Sequence, residues 1–275
     1  TRAGQRNVTD PPGDPLEYIS PSRLKLFLTC RLRFFFEKVM ALKAPVSPSL
    51  QVGKSVHAAL QSYHKAVWRG RDHSVEAIVR SYHAEYEALE REEPVNYADA
   101  TDREKSVQAG LRVLQAYLES DLAREAGQAI GVEVGLRSVD VGLPLALVGV
   151  IDLVRVGNEP IEFKTCASTP DAGLEAWQHE LQIVAYSLLL EDATGEKPLP
   201  AKIVYLVKLK APKVVVQTLP EVTSNQIRRF RSLVDMYVRG VERGEFYPCR
   251  SMACNWCGFK AECAKWVGHS TTTAA

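Results

Sequence analysis

Three cysteines near the C-terminus, Cys254, Cys257 and Cys263, restrict the folds open to this chain more than any other feature. Their C-x2-C-x5-C spacing closes small loops around a metal centre. A tetrahedral sulfur site takes a fourth thiolate, and the sequence offers Cys249 close by and Cys30 at the far end. The first choice makes a compact zinc knuckle. The second ties the two ends of the chain together around everything between them. Four thiolates hold either zinc or an iron–sulfur cluster, and spacing alone does not choose. Cys166, two residues past Lys164, reads as a small buried apolar residue rather than a nucleophile.

The 275 residues suit one large domain, expected over 15–268, with polar or Pro/Gly-rich ends at 1–14 and 269–275 expected to be disordered. With 46% hydrophobic and 24% charged residues, the composition is that of a soluble globular protein. No apolar run reaches membrane-spanning length and the first residues lack a signal-peptide pattern, so no membrane role and a cytoplasmic address are expected. Six cysteines in that compartment argue for metal binding over disulfides. A net charge of +1 leaves any nucleic-acid binding to a local basic groove.

Ser20-Pro21 starts a capped helix that presents Cys30 near its end and runs on into Phe34-Phe35-Phe36. A second helix spans 51–68, with Gly53 and His57 one turn apart, and His64 two turns further on reads as solvated. Apolar spacing predicts helices at about 74–92 and 103–126, a helical layer within the domain. The period then becomes that of strands, over 132–137, 145–154 and 160–165, with a hairpin turn at Gly157-Asn158-Glu159. A helix at about 172–191, strands at 202–207 and 213–218, and a helix at about 222–243 complete an α/β core. The cysteine segment occupies 249–266.

Asp152 stands at the end of one hairpin strand, and Glu162 and Lys164 project together from the next, with Phe163 directed into the core. Two carboxylates beside a lysine suit a hard divalent cation and a phosphodiester. Their oxygens hold Mg²⁺ or Mn²⁺, the cation activates water, and the ammonium offsets developing negative charge.

This D-x9-E-x-K hairpin resembles the core motif of the PD-(D/E)XK nuclease superfamily. Gly53-x3-His57, Gln182-x3-Tyr186, the opening Tyr18 to Phe34 and the closing cysteines resemble its RecB/AddB-like branch, which includes the iron–sulfur nucleases of CRISPR adaptation. The family's opening segment often has proline after the first cysteine, where this chain has Arg31. The resemblance covers about residues 18 to 266 and implies a restriction-endonuclease-like mixed central sheet flanked by helices. It implies a [4Fe-4S] cluster on Cys30, Cys254, Cys257 and Cys263, bracing the N- and C-terminal segments, with Cys249 left out. It implies Mg²⁺ or Mn²⁺ on His57, Asp152 and Glu162, with the Phe163 carbonyl. Lys164 would orient the attacking water, and Gln182 and Tyr186 would position the DNA and the lysine. The implied activity is a deoxyribonuclease on single-stranded DNA or duplex ends, exonuclease or endonuclease, in DNA repair or CRISPR spacer processing. A helicase or a CRISPR integrase complex is the implied partner. Arg31 and Arg33 lead the candidate phosphate contacts, followed by Lys208, Lys210, Arg228 and Arg229. Two other classes stay open: a catalytically silent DNA-binding or scaffold subunit, and a zinc-stapled regulatory protein. The chain carries no G-x-x-x-x-G-K-[ST], so unwinding is expected from another protein.

Overall fold

The computed structural model describes residues 14–124 and 129–268, so the ends expected to be disordered, 1–14 and 269–275, lie outside the described residues except for Asp14. The first described elements are β1 (Tyr18–Ile19) and α1 (Pro21–Thr29), where the Ser20 hydroxyl caps the Arg23 amide as the sequence predicts. The predicted run-on past Cys30 is corrected. Cys30 is extended (φ −160°) and separates α1 from α2 (Arg31–Phe34), which continues into a π-helical turn at Phe35–Val39. The break lets the Leu32 amide donate to the Tyr247 carbonyl at 3.0 Å, joining the N-terminal helices to the C-terminal segment.

α3 (Pro48–Trp68) starts three residues before its predicted first turn because Ser47 caps it and Pro48 opens it. α4 (Val75–Glu92) starts at its Ser74 cap. The single helix expected over 103–126 is two, α5 (Ala100–Leu118) and α6 (Asp121–Arg124), and residues 125–126 of that range lie outside the described set. The break falls where the Ser120 hydroxyl takes the Tyr117 carbonyl at 2.6 Å, competing with the helical ladder.

Strands β2 (Ala129–Ser138), β3 (Ala146–Arg155), β4 (Glu159–Cys166), β5 (Lys202–Val207) and β6 (Lys213–Thr218) make one mixed sheet with β1, ordered β1-β3-β4-β5-β6, with β2 on the other edge of β3. β3 and β4 are antiparallel, as the hairpin signal predicts, and positive φ at Gly157 (79°) and Asn158 (55°) makes the turn. Between β4 and β5, the expected helix 172–191 is α7 (Ala172–Gln178) and α8 (Glu180–Thr194), broken at His179. α9 (Ser224–Glu242) starts at a Thr223–Gln226 capping box, and α10 (Lys260–Lys265) closes the chain after a 3-10 turn at Met252–Trp256.

Helices therefore cover both faces of the sheet. On one face α3, α4 and α5 bury Val56, Leu60, Tyr82 and Tyr117 against Phe163, Leu153 and Leu206. On the other, α1, α8 and α9 bury Phe27, Leu189, Phe230 and Tyr237 against Leu147, while Ile183, Tyr186 and Leu190 of α8 pack on Ile151, Ile203 and Tyr205. His64 belongs to the first layer and is 1% exposed, contrary to the solvated reading. Its Nε2 meets the Tyr117 hydroxyl at 2.8 Å and its ring stacks on Phe163. Burial pushes its pKa down to about 3, so the ring is neutral.

Candidate active site

The acidic residues meet where two paired strands part. β4 pairs with β3 only from Arg155↔Glu159 to Leu153↔Ile161, then diverges to run parallel with β5. β1 takes the same edge of β3 at Ala146 and Leu147, and β2 runs along the opposite edge. A fork opens between, with Asp152 on one prong and Glu162 on the other. Asp152 thus lies three residues inside its strand rather than at its end, the position expected from the sequence. The side-chain alternation of β3 also slips here: Ile151 packs in the α8 core and Leu153 in the α3–α5 core. Across from the slip, Glu133 of β2 has a left-handed φ of 51°.

Opening a sheet strands backbone groups that must find partners. Asp152 Oδ2 accepts the Phe163 amide at 2.8 Å, and the Val150 carbonyl accepts the Tyr186 hydroxyl at 2.7 Å. Asp152 and Tyr186 thereby satisfy the backbone that the fork exposes.

The remaining contacts complete a network. His57 Nδ1 is 3.4 Å from Asp152 Oδ1. Lys164 Nζ is 2.5 Å from Glu162 Oε1, and the Tyr186 hydroxyl is 2.8 Å from Glu162 Oε2. Gln182 Nε2 donates to the Tyr186 oxygen at 2.7 Å. All six predicted residues His57, Asp152, Glu162, Lys164, Gln182 and Tyr186 are thus joined, and Phe163 joins through its amide. Gly53 favours it: a Cβ there would stand 3.1 Å from Thr165 Oγ1, a tight contact, so glycine eases the close approach of α3 to β4 that carries His57 to the fork.

Burial and the Asp152 charge push the Glu162 carboxyl up, with Lys164 opposing. Burial works against the Asp152 charge too, but His57 and the Phe163 amide outweigh it and hold that carboxyl low. His57 is raised, since the attraction of Asp152 and Glu162 exceeds its own burial cost. Neighbouring carboxyls driven apart in this way mark a site built for charge.

The fork opens into a cleft of about 940 Å³ between α3, α4 and the sheet. His57, Asp152 and Lys164 line it, as do Lys43 and Lys54 and an opposing acidic wall of Glu85, Glu92 and Glu93. Lys54 is paired with Glu93. Sequence reasoning missed Glu133 and this wall, because Glu133 in an alternating strand and glutamates on an amphipathic helix look like solvated positions.

Donor chemistry fits a hard cation at His57, Asp152 and Glu162, two carboxylates and an imidazole within one network. Each carboxylate oxygen presently faces a protein donor, and among the described residues no three His, Cys, Asp or Glu side chains are arranged as a ready metal site.

The same holds at the cysteines, which nevertheless gather. Cys30, Cys257 and Cys263 pack around Leu32, Phe36 and Phe259, and burial together with Cys30, Cys257 and Cys254 pushes the Cys263 thiol up. Cys249 is also adjacent, its amide 3.5 Å from Cys30 Sγ. Cys166 is apart from them, half-buried against the Tyr186 and Tyr205 core. From Tyr247 to Gly268 only Phe259 is buried, too little apolar core to fix such a segment, so a thiolate-held group fits here physically. The candidate phosphate contacts are mostly committed within the protein. Arg31 pairs with Glu245 between the rings of Phe27 and Tyr247, Arg33 with Glu37 at 2.6 Å, Arg229 with Glu180 at 2.7 Å, and Lys208 with Ser49 at 2.7 Å.

No described helix is long and apolar enough to cross a membrane. No curated protein matches this chain. Among solved structures it is similar to one from Eubacterium rectale described as a "Putative exonuclease", with a TM-score of 0.57, 17% identity and 94% of each chain covered; at that identity the likeness concerns the fold. It is also similar to SSO0001 over 88% of this chain and 94% of that one, at 18% identity, but a TM-score of 0.35 carries no argument. The family model described as the PD-(D/E)XK nuclease superfamily matches residues 18–264. A mixed sheet flanked by helices, an acidic fork with its lysine and a match over nearly the whole described chain agree: the protein belongs to the PD-(D/E)XK nuclease superfamily.

Proposed function

We propose that the chain is a metal-dependent deoxyribonuclease of the RecB/AddB-like branch, acting on single-stranded DNA or DNA ends. The observation that carries this is the fork, where Asp152, Glu162 and Lys164 meet opposite His57. His57, Asp152 and Glu162 would hold Mg²⁺ or Mn²⁺. When bound, the cation lowers the pKa of a water and polarises the phosphodiester. Lys164, tethered by Glu162, would orient the attacking water and offset charge on the phosphate. Gln182 and Tyr186 keep Glu162 in place and the fork open. Cys30, Cys254, Cys257 and Cys263 would hold a [4Fe-4S] cluster that fixes the C-terminal segment to α2. DNA-end processing in repair, or spacer trimming in CRISPR adaptation beside a helicase or an integrase, is the proposed setting.

The test is cleavage of labelled single- and double-stranded DNA by anaerobically purified protein stripped with EDTA, before and after Mn²⁺ or Mg²⁺ is restored. Cleavage only in the restored samples is expected. DNA binding without cleavage under either cation would replace this reading with the silent binding subunit, and a colourless preparation with stoichiometric zinc would replace the cluster.

A further inference from the structure

An exposed indole stands on the segment that leaves the proposed catalytic strand. Trp177 is 72% exposed, and Leu174, one turn before it on the same face of α7, is 56% exposed. Together the two side chains leave an apolar strip of α7 open to solvent. The ring is not loose: the Arg229 guanidinium lies 5.4 Å from its centroid, and Glu180 grips that guanidinium with two bonds of 2.7 and 3.2 Å. The indole is thus braced by α9 and keeps most of its surface open to solvent.

Its place in the chain ties it to the fork. α7 lies between Lys164 and Gln182, both in the network described above. Ala176, its neighbour, packs on the core that holds Tyr186 and Tyr205, and the His179 ring lies 6.2 Å from that of Tyr205, the strand partner of Lys164. The Arg229 guanidinium against the ring is paired with Glu180, so what this face offers a ligand is the indole surface rather than free charge.

We propose that Trp177 is a stacking platform for a nucleobase of single-stranded DNA whose backbone enters the fork, a site that rests on the nuclease reading. Every base has a π-face, so such a contact binds strand without reading sequence. A duplex, with its bases already stacked, gains nothing from the platform, so Trp177 would favour unpaired strand.

The test measures binding of a fluorescent single-stranded oligonucleotide, and of the same strand with abasic positions, in Ca²⁺ and without turnover. Trp177→Ala is expected to weaken binding of the normal strand about ten-fold or more. Trp177→Tyr restores most of it, and the abasic strand binds parent and Ala variant alike. Melting temperatures of both variants check that the fold is kept. If Trp177→Ala binds both strands as the parent does, or loses affinity for both equally, the platform is overturned. Cleavage in Mn²⁺ is scored separately: a parent that cuts no DNA yet shows the base-dependent difference removes the nuclease reading and leaves the platform standing.

Discussion

At Tyr186 one hydroxyl proton serves two acceptors, the Val150 carbonyl and the Glu162 carboxylate, while Gln182 donates to the oxygen. Tyr186→Phe removes the link between fork and carboxylate without changing the packing of the ring. Losing a buried hydroxyl of this kind costs about 1–3 kcal/mol. We expect the melting temperature to fall by a few degrees and the cleavage rate at saturating DNA to fall about ten-fold or more; an unchanged rate would show that the hydroxyl only holds the strand. How much of this was readable at the level of residues follows from geometry. Glu162 and Lys164 share a face because strand alternation has a period of two, and His57 follows Gly53 by one helical turn, so local spacing announces both. The fork itself was hidden, since where β4 leaves β3 is a matter of tertiary pairing. His64 was misread because its burial depends on α5, which supplies Tyr117 from 53 residues away.

Among the elements, the helical layer forms the outer wall of the cleft, and beside its shared apolar core a carboxylate, Glu90, ties α4 to α5. Glu90 accepts three bonds from Arg103 in α5, two from Nε and one from Nη2, and one of 2.6 Å from the Tyr97 hydroxyl. Burial opposes its charge, but Arg103 and Tyr97 outweigh that and hold the carboxyl below its ordinary value. A depressed carboxyl contributes stability that is complete above the unfolded value near 4.5 and is lost as pH falls through the lower folded value. The parent is therefore expected to lose melting temperature faster than Glu90→Gln between pH 6 and about pH 3.5, with the variant less stable at neutral pH by about 1–2 kcal/mol. Parallel pH profiles would contradict this role. At this scale the two-residue β1 and the short α10 were not read, while the order and type of the longer helices and strands were legible from apolar spacing. The breaks at Cys30, Ser120 and His179 were not, because apolar spacing runs through all three.

For the whole molecule, aromatic packing joins the N-terminal helices to α9. Phe27, Phe34 and Tyr237 meet edge to face at 5.0–5.6 Å, and the Tyr237 hydroxyl bonds the Pro15 carbonyl at 2.6 Å, so α1, α2 and α9 hold together without any metal. In the proposed reading the cysteines have a narrower task, to fix residues 247–268 on Leu32 and Phe36 through the cluster they would hold. Cys257→Ala is accordingly expected to lose the visible absorbance of the cluster and to expose that segment to protease, while the domain up to α9 stays resistant. A colourless variant with the parent's protease pattern would contradict the bracing role. The sequence pointed to a link between the two ends. It could not show the aromatic one, whose residues lie at unremarkable helical spacings.

The central claim is that phosphodiester cleavage is done at the fork, with Lys164 in contact with the reacting groups. The direct measurement compares single-turnover cleavage of labelled DNA in Mn²⁺ by the parent and by Lys164→Ala, both folded and equally coloured. The account predicts cleavage by the parent and a loss of at least a hundred-fold in the variant, consistent with removing a group that offsets charge in the transition state. Equal rates in the two proteins would contradict it and move the chemistry away from this site.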